Sequence, residues 1–314
     1  MNRIILPLLL LLSIGCCRVC DRIDPRVSYR IQDRHFSRLQ SAFAKLTQEE
    51  RSTDWGKEML IGLAFAQELD LYRAVSTFKR AEILVPPEEP MRKMEIQYDI
   101  LLCYYLGNRY DEAIESFEKS NLATADKTFP AYHDLLLVLY ECYREMDCPE
   151  KEERMYELIG TYYLATAEDL KISKALLCGD LASICEVNQD LQHPSYLDPM
   201  ITGYDQERKS VGKAQALNAL IPGAGYLYIG QKKSAMTAFL LNGLFIAAAY
   251  QFFHRGHFAA GIITTGFEAG WYFGGIYGAG EEAKYYNERL YECNAAKVLN
   301  EHSLFPVLML QHAF

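Results

Sequence analysis

The sequence predicts an all-α protein: a signal peptide, an acidic solenoid of helical hairpins, and a Gly-rich transmembrane helical hairpin. Three observations carry this prediction. Residues 55–190 repeat apolar positions at helical spacing and almost never alternate with period 2. Residues 234–253 hold no charge in 20 positions, and residues 256–280 hold one, Glu268, in 25. The net charge of −9 is unevenly placed: residues 214–314 hold six basic and six acidic groups, so the whole excess lies in residues 1–213. An acidic balance of this kind excludes a general nucleic-acid binder, whose phosphate affinity needs a basic surface.

The leader comes first. Met1-Asn2-Arg3 is a short positive segment, and Ile4 to Ile14 is an uncharged, apolar-rich stretch of 11 residues. A bilayer span needs about 20 residues, so residues 1–15 read as a signal peptide. Ser13 and Gly15 place small residues at −3 and −1 before Cys16. The Gly15–Cys16 bond also resembles a bacterial lipoprotein cleavage site, which implies lipidation at Cys16, although Ser13 stands where Leu is usual there. Of the nine cysteines only Cys17 and Cys20 form a C-x-x-C pair, whereas a zinc site wants two such pairs. No metal site is expected. The other cysteines read as buried thiols. A Cys142–Cys148 bridge would need the turn that Asp147-Cys148-Pro149 offers, because a continuous helix holds the two too far apart.

Residues 21–53 are expected to supply an N-terminal helix, centred on 33–46, that caps the array. The array itself spans 54–190. Counting Trp55 as the first position, Ile61-Gly62, Phe65, Ala74, Phe78, Ala81 and Pro86 match seven of eight signature positions, with Glu58 departing. This pattern resembles the tetratricopeptide repeat. The physical logic is close packing: Gly62 and Ala74 let two helices approach, while Phe65 and Phe78 fill the surrounding space. A second copy follows 39 residues on, with Ile100, Tyr104, Ala113, Phe117 and Ser120 in the matching slots. A third hairpin at 132–160 has lost most of the signature, and a fourth falls around 161–188. The resemblance implies an inner face that binds protein partners, and it places Met59, Leu63, Tyr98 and Leu102 there as a partner groove. Basic and Asn residues that would clamp a carboxylate are missing from those positions, so an apolar segment is the expected ligand. The bland alternative is that these side chains pack between repeats.

Residues 191–213 contain His193-Pro194, Asp198-Pro199 and Thr202-Gly203 and read as a linker. The membrane module follows at 214–280, with spans at about 234–253 and 258–280 joined by His254-Arg255-Gly256-His257. Its entry segment contains Pro222, Gly223, Gly225, Tyr228 and Gly230. This P-G-x-G-x-x-Y-x-G string resembles the opening of small two-helix membrane-hairpin domains of bacterial proteins. No Gly-Lys-Ser/Thr follows it, so it is not a phosphate loop. Gly266, Gly270, Gly274 and Gly278 lie on one face of the second span, a small-residue ladder suited to close packing. Its expected partner is either the first span, which offers Ala235, Ala238 and Ala247 to Ala249, or a second copy of the chain. Asn242 and Glu268 sit at equal depth from the turn and are expected to share a hydrogen bond that fixes hairpin register. A proton or ion relay at Glu268 is the functional alternative.

Residues 281–314 read as an amphipathic helix and an apolar tail. Lys232, Lys233 and Lys284 favour a cytoplasmic base for the hairpin, which agrees with a secreted array only if 214–230 also enters the bilayer. No nucleophile–base pair, cofactor loop or metal cluster is evident, so the expectation is a non-enzymatic envelope scaffold. A small transporter or channel subunit built around Glu268 is the rival reading.

Overall fold

The computed structural model describes residue 19 and residues 22–27, 39–190 and 196–314. The leader, Cys16 and the front of the expected capping helix lie outside the described residues. Helices dominate the described chain, and its one extended pairing is an isolated parallel bridge between Gln40 and His312. Two compact units divide it.

The first unit comprises Ser28–Leu176, Ala182–Gln192 and Val298–Phe314. Helix α1 (Gln48–Ser52) opens on a capping box: Glu50 N–H donates to Thr47 Oγ1, and the Glu50 carboxylate accepts the Thr47 N–H. Helices α2 (Asp54–Gln67) and α3 (Leu71–Leu84) pack together, as do α4 (Pro90–Leu106) and α5 (Tyr110–Glu118). Helices α6 (Tyr132–Glu145) and α7 (Pro149–Tyr162) form the third pair, and α8 (Leu164–Cys178) and α9 (Leu181–Asp190) follow. Trp55, Ala74, Phe78 and Ala81 are buried, whereas Ile61 is exposed. A Cβ on Gly62 would lie 2.6 Å from the ring of Phe78, so only glycine permits this approach of α2 to α3.

The turn inside each of the first three hairpins recurs with a period of 39 residues. Leu69, Asn108 and Asp147 each adopt a left-handed backbone, at φ 56°, 55° and 53°. The next N–H then reaches back to a helix carbonyl: Asp70 to Phe65, Arg109 to Tyr104 and Cys148 to Tyr143, each at 2.9 Å. The third hairpin, whose signature the sequence has largely lost, therefore keeps the backbone of the other two. Cys142 and Cys148 flank its turn as free thiols.

Helices α4 and α6 are enclosed on every side: Glu95 to Leu106 and Tyr132 to Tyr143 are buried without interruption. Neighbouring helices cover most of that surface. Two non-helical segments cover more of it. Phe43, from residues 39–46, sets its ring 5.9 Å from that of Tyr98 and 5.5 Å from that of Phe129. Arg92 holds the same segment by donating to Ala44 O at 2.8 Å, and it pairs with Glu50 at 2.8 Å and Glu95 at 2.7 Å. The Arg92 hydrogen bond holds the Glu50 carboxyl below its ordinary range, whereas burial pushes that of Glu95 up despite the same partner. The expected helix across 33–46 is thus corrected over 39–46. That stretch is irregular because its apolar side chain is drawn onto α4, and helix begins only at the Thr47 cap.

The second unit comprises Met1–Val27, Leu177–Leu181 and His193–Lys297. Its helices are α10 (Leu197–Glu207), α11 (Val211–Leu220), α12 (Ala224–Ile229), α13 (Lys232–His254) and most of α14 (Phe258–Glu301). Two expectations are corrected here. The linker reading of 191–213 fails because 197–207 is helical and buries Leu197, Met200 and Tyr204 on one face. Pro199 sits in the first turn of that helix, where its missing N–H is harmless. The second span and the amphipathic helix at 281–301 are not separate elements. They form one helix of 44 residues, because the run after Gly280 is rich in helix formers and has no proline.

Candidate functional site

The entry motif is built by close backbone approach. Gly223 has φ 93° and Gly230 has φ 92°, which L side chains rarely adopt, so both ends of α12 need glycine. A Cβ on Gly223 would meet Ala235 O at 2.3 Å, and one on Gly225 would meet Ala214 O at 2.3 Å and Ala279 Cβ at 2.9 Å. Four helices, α11 to α14, therefore converge on these two glycines. Buried Asn218 accepts the Gly223 N–H at 2.8 Å, tying the break at Pro222 to α11. Tyr228 Oη accepts the Ser210 N–H at 3.2 Å, and Lys209 and Lys213 lie over its ring at 5.5 and 4.9 Å. Asn287 brackets Lys209, accepting its N–H at 2.7 Å and donating to its carbonyl at 2.8 Å. Val211, Ala214, Ile229 and Ala283 form the small core beneath.

Above this base the hairpin is open. Helix α13 is the one described helix long and apolar enough to cross a membrane, and only 11% of its apolar window is buried within the protein. Phe239, Leu240, Leu244 and Ile246 on α13 are exposed, as are Ile262, Ile263, Phe267 and Trp271 on α14. The predicted second span does not reach the same apolarity, because glycines, threonines and Glu268 dilute it.

The glycine ladder divides in two. A Cβ on Gly278 would meet Tyr226 Oη at 2.6 Å, yet one on Gly266, Gly270 or Gly274 would meet nothing within 4 Å. Packing of the upper ladder against the first span is therefore corrected. The small residues permit an approach that no facing element makes. The expected Asn242–Glu268 hydrogen bond is also absent. Asn242 is buried, but its amide donates to Ala238 O of its own helix at 2.6 Å. Asn242 Oδ1 and Glu268 Oε2 are left buried without partners, two acceptors with no donor between them.

The expected partner groove is interior. Met59, Tyr98 and Leu102 are fully buried and Leu63 is half-buried, so these residues form packing rather than an open face. Tyr98 is enclosed by Phe43 and by Phe129, whose ring lies 6.0 Å away.

Sequence reasoning missed a different constellation. Asp134, in the first turn of α6, is fully buried, and its carboxylate accepts the main-chain N–H of Gln311 at 3.0 Å and of His312 at 2.8 Å. His312 Nδ1 lies 3.1 Å from it and His133 Nδ1 2.7 Å, while His133 Nε2 meets Thr166 Oγ1 at 3.0 Å. Ala313 N–H donates to Gln40 O at 3.1 Å. No local pattern signals this site, because its two halves lie 177 and 178 residues apart in sequence.

Among the described residues, no group of three or more His, Cys, Asp or Glu side chains is placed to hold a metal ion. No protein-family model, curated protein or solved structure matches the chain.

Proposed function

We propose that the chain is a membrane-anchored bacterial envelope scaffold whose tetratricopeptide-like solenoid recruits protein partners, in envelope assembly or membrane-protein biogenesis. The observation that carries this reading is the exposed apolar surface of α13 and α14 above a tightly built base. An apolar face of that extent is stable in lipid and a liability in water. The 39-residue recurrence of the hairpin turns supports a repeat array, and arrays of this kind present extended surfaces to other proteins. The leader supports secretion of the array, with residues 1–15 removed and Cys16 the candidate lipidation point. The rival channel reading draws on the unpartnered Glu268 and the open ladder at Gly266, Gly270 and Gly274, which would serve a homo-oligomer.

Protease accessibility of residues 55–190 in intact spheroplasts tests the topology. Digestion from outside, with the hairpin fragment retained in the membrane pellet, is the expected result. Full protection of the array would place its partners in the cytoplasm and overturn the secreted reading. Loss of function on Glu268→Gln, with unchanged membrane insertion, would favour the channel.

A further inference from the structure

We propose that α11, the break at Ile221–Gly223 and α12 form a re-entrant wedge that inserts into one leaflet beside the hairpin. The wedge holds an anionic phospholipid whose phosphate lies on Lys209 and Lys213. This deepens, and rests on, the membrane-anchored reading given above. Four observations of the second unit lead to it.

The segment climbs along α14 and returns. Asn287 brackets Lys209 at the foot of α11. Further along α11, Gln215 lies against Gly280, Asn218 lies against Gly275, and the Ala219 carbonyl accepts the Tyr272 hydroxyl. The partners on α14 thus run from 287 to 272 while α11 advances from 209 to 219. At 1.5 Å per residue that advance rises about 15 Å, half of a hydrocarbon core of about 30 Å. The way back is as well marked. Gly223 touches Ala235, Tyr226 reaches Gly278, Tyr228 accepts the Ser210 N–H, and Gln231 donates to Glu282.

The tip is apolar and its backbone is satisfied. Leu220 is 79% exposed and Ile221 56%. Their neighbours Ala219 and Gly223 meet Tyr272 and Ala235, which lie inside the uncharged stretches of α14 and α13. A loop in hydrocarbon must leave no N–H unmet. The Ile221 N–H donates to Leu217 O at 3.0 Å, that of Gly223 to Asn218 Oδ1 at 2.8 Å, and that of Ala224 to Ile221 O at 2.9 Å. Pro222 has no N–H to satisfy.

The foot is cationic and lacks counter-charge. Residues 208–233 hold five basic side chains and no Asp or Glu. Lys209 and Lys213 share the Tyr228 ring, and Lys209 also lies over that of Tyr286 at 5.6 Å. The acids around them are engaged elsewhere: Asp205 with Arg208 at 3.2 Å, Glu288 with Lys284 at 3.7 Å, and Glu282 with Gln231. Two ammonium groups on one ring repel each other, and a bound anion relieves that repulsion.

The layering selects the anion. Lysines stand at the foot, the rings of Tyr226 and Tyr228 stand above them, and Leu220 and Ile221 stand at the tip. A phospholipid presents the matching order, phosphate and then acyl chain, and tyrosine suits the boundary between the two.

The test uses the full chain in vesicles of phosphatidylcholine and phosphatidylglycerol. A nitroxide is attached through a ketone-bearing residue at position 220, with positions 244 and 207 as references, so the cysteines stay untouched. Labels replacing Leu220 and Leu244 should both relax with oxygen and be shielded from a water-soluble nickel complex, and one replacing Glu207 should do the reverse. Position 220 in water with position 244 in lipid would overturn the wedge and leave the membrane-anchored reading standing. Both in water would overturn that reading and the wedge with it. Association of spin-labelled lipids reads the phosphate site. The chain should prefer phosphatidylglycerol, and Lys209→Gln and Lys213→Gln should each lower that preference about fivefold. Lys209→Arg and Lys213→Arg should keep it, and Lys297→Gln, further along α14, should leave it unchanged. A preference unmoved in the double Gln variant, with position 220 still in lipid, would overturn the phosphate site.

Discussion

Asp134 Oδ2 accepts the main-chain N–H of His312 at 2.8 Å, across 178 residues of sequence. That bond and its companion at Gln311 place the C-terminal segment against the first turn of α6. Asp134→Ala should remove both acceptors and raise amide exchange at 310–313 far more than elsewhere in the array. The expected cost is about 3 kcal/mol, for two charge-assisted bonds and partial loss of the apolar contacts behind them. Denaturant melts with residue-resolved hydrogen exchange would check both quantities.

Asp99 supplies a pH dependence. Burial pushes its carboxyl well above the ordinary range, and its Oδ2 has no partner. The folded chain therefore keeps a proton that the unfolded chain releases at about pH 4. Folded protein binds the excess proton above that point, so stability falls as pH rises from there toward the raised value. The slope from one such group is up to about 1.4 kcal/mol per pH unit. Burial shifts Glu95 and Glu141 in the same direction. Asp99→Asn should flatten the decline above about pH 4 in parallel melts. An unchanged slope would assign the effect to the two glutamates.

Two alanine substitutions should separate a packed glycine from an open one. Gly62→Ala drives a methyl into the Phe78 ring and should cost about 1–3 kcal/mol, with partial rescue by Phe78→Leu. Gly270→Ala meets nothing in the protein and should leave the single chain intact or stabilise the helix by up to about 1 kcal/mol. If a second copy packs on that ladder, Gly270→Leu should instead abolish the dimer in sedimentation experiments in detergent.

The turn at Leu69 offers a stabilising change. A side chain at φ 56° is strained, and Leu has no polar group to relieve it. Leu69→Gly should raise stability by about 1 kcal/mol, whereas the same change at Asn108 should give less, because Asn tolerates this conformation. Calorimetric melting of the two variants checks the order.

The helical hairpins were legible because their determinants are local. Gly62 and Phe78, sixteen positions apart, meet where their spacing places them, and the helix breaks at Leu69, Asn108 and Asp147 fall where the apolar pattern lapses. The third hairpin was only half legible. Its backbone persists through a left-handed turn at Asp147, a residue type that tolerates this conformation, so the signature could decay without losing the fold. The linker reading failed at 197–207 because turn-forming pairs such as Asp198-Pro199 also start helices.

The sequence by itself determined the all-helical class, the 39-residue spacing of the first two hairpins, the entry glycines and the uncharged stretch of α13. Each follows from residues near one another in the chain, where propensity and periodicity act. Only the tertiary structure decided which faces meet. Periodicity assigned Tyr98 and Leu102 to an inner face but carried no information about what would cover it, and Phe43 encloses Tyr98 from a segment with no pattern of its own. The same limit hid the site at Asp134. A carboxylate that pairs with main-chain N–H groups leaves no side-chain signature on its partner, so any segment could have filled the role until the fold brought residues 311 and 312 to it.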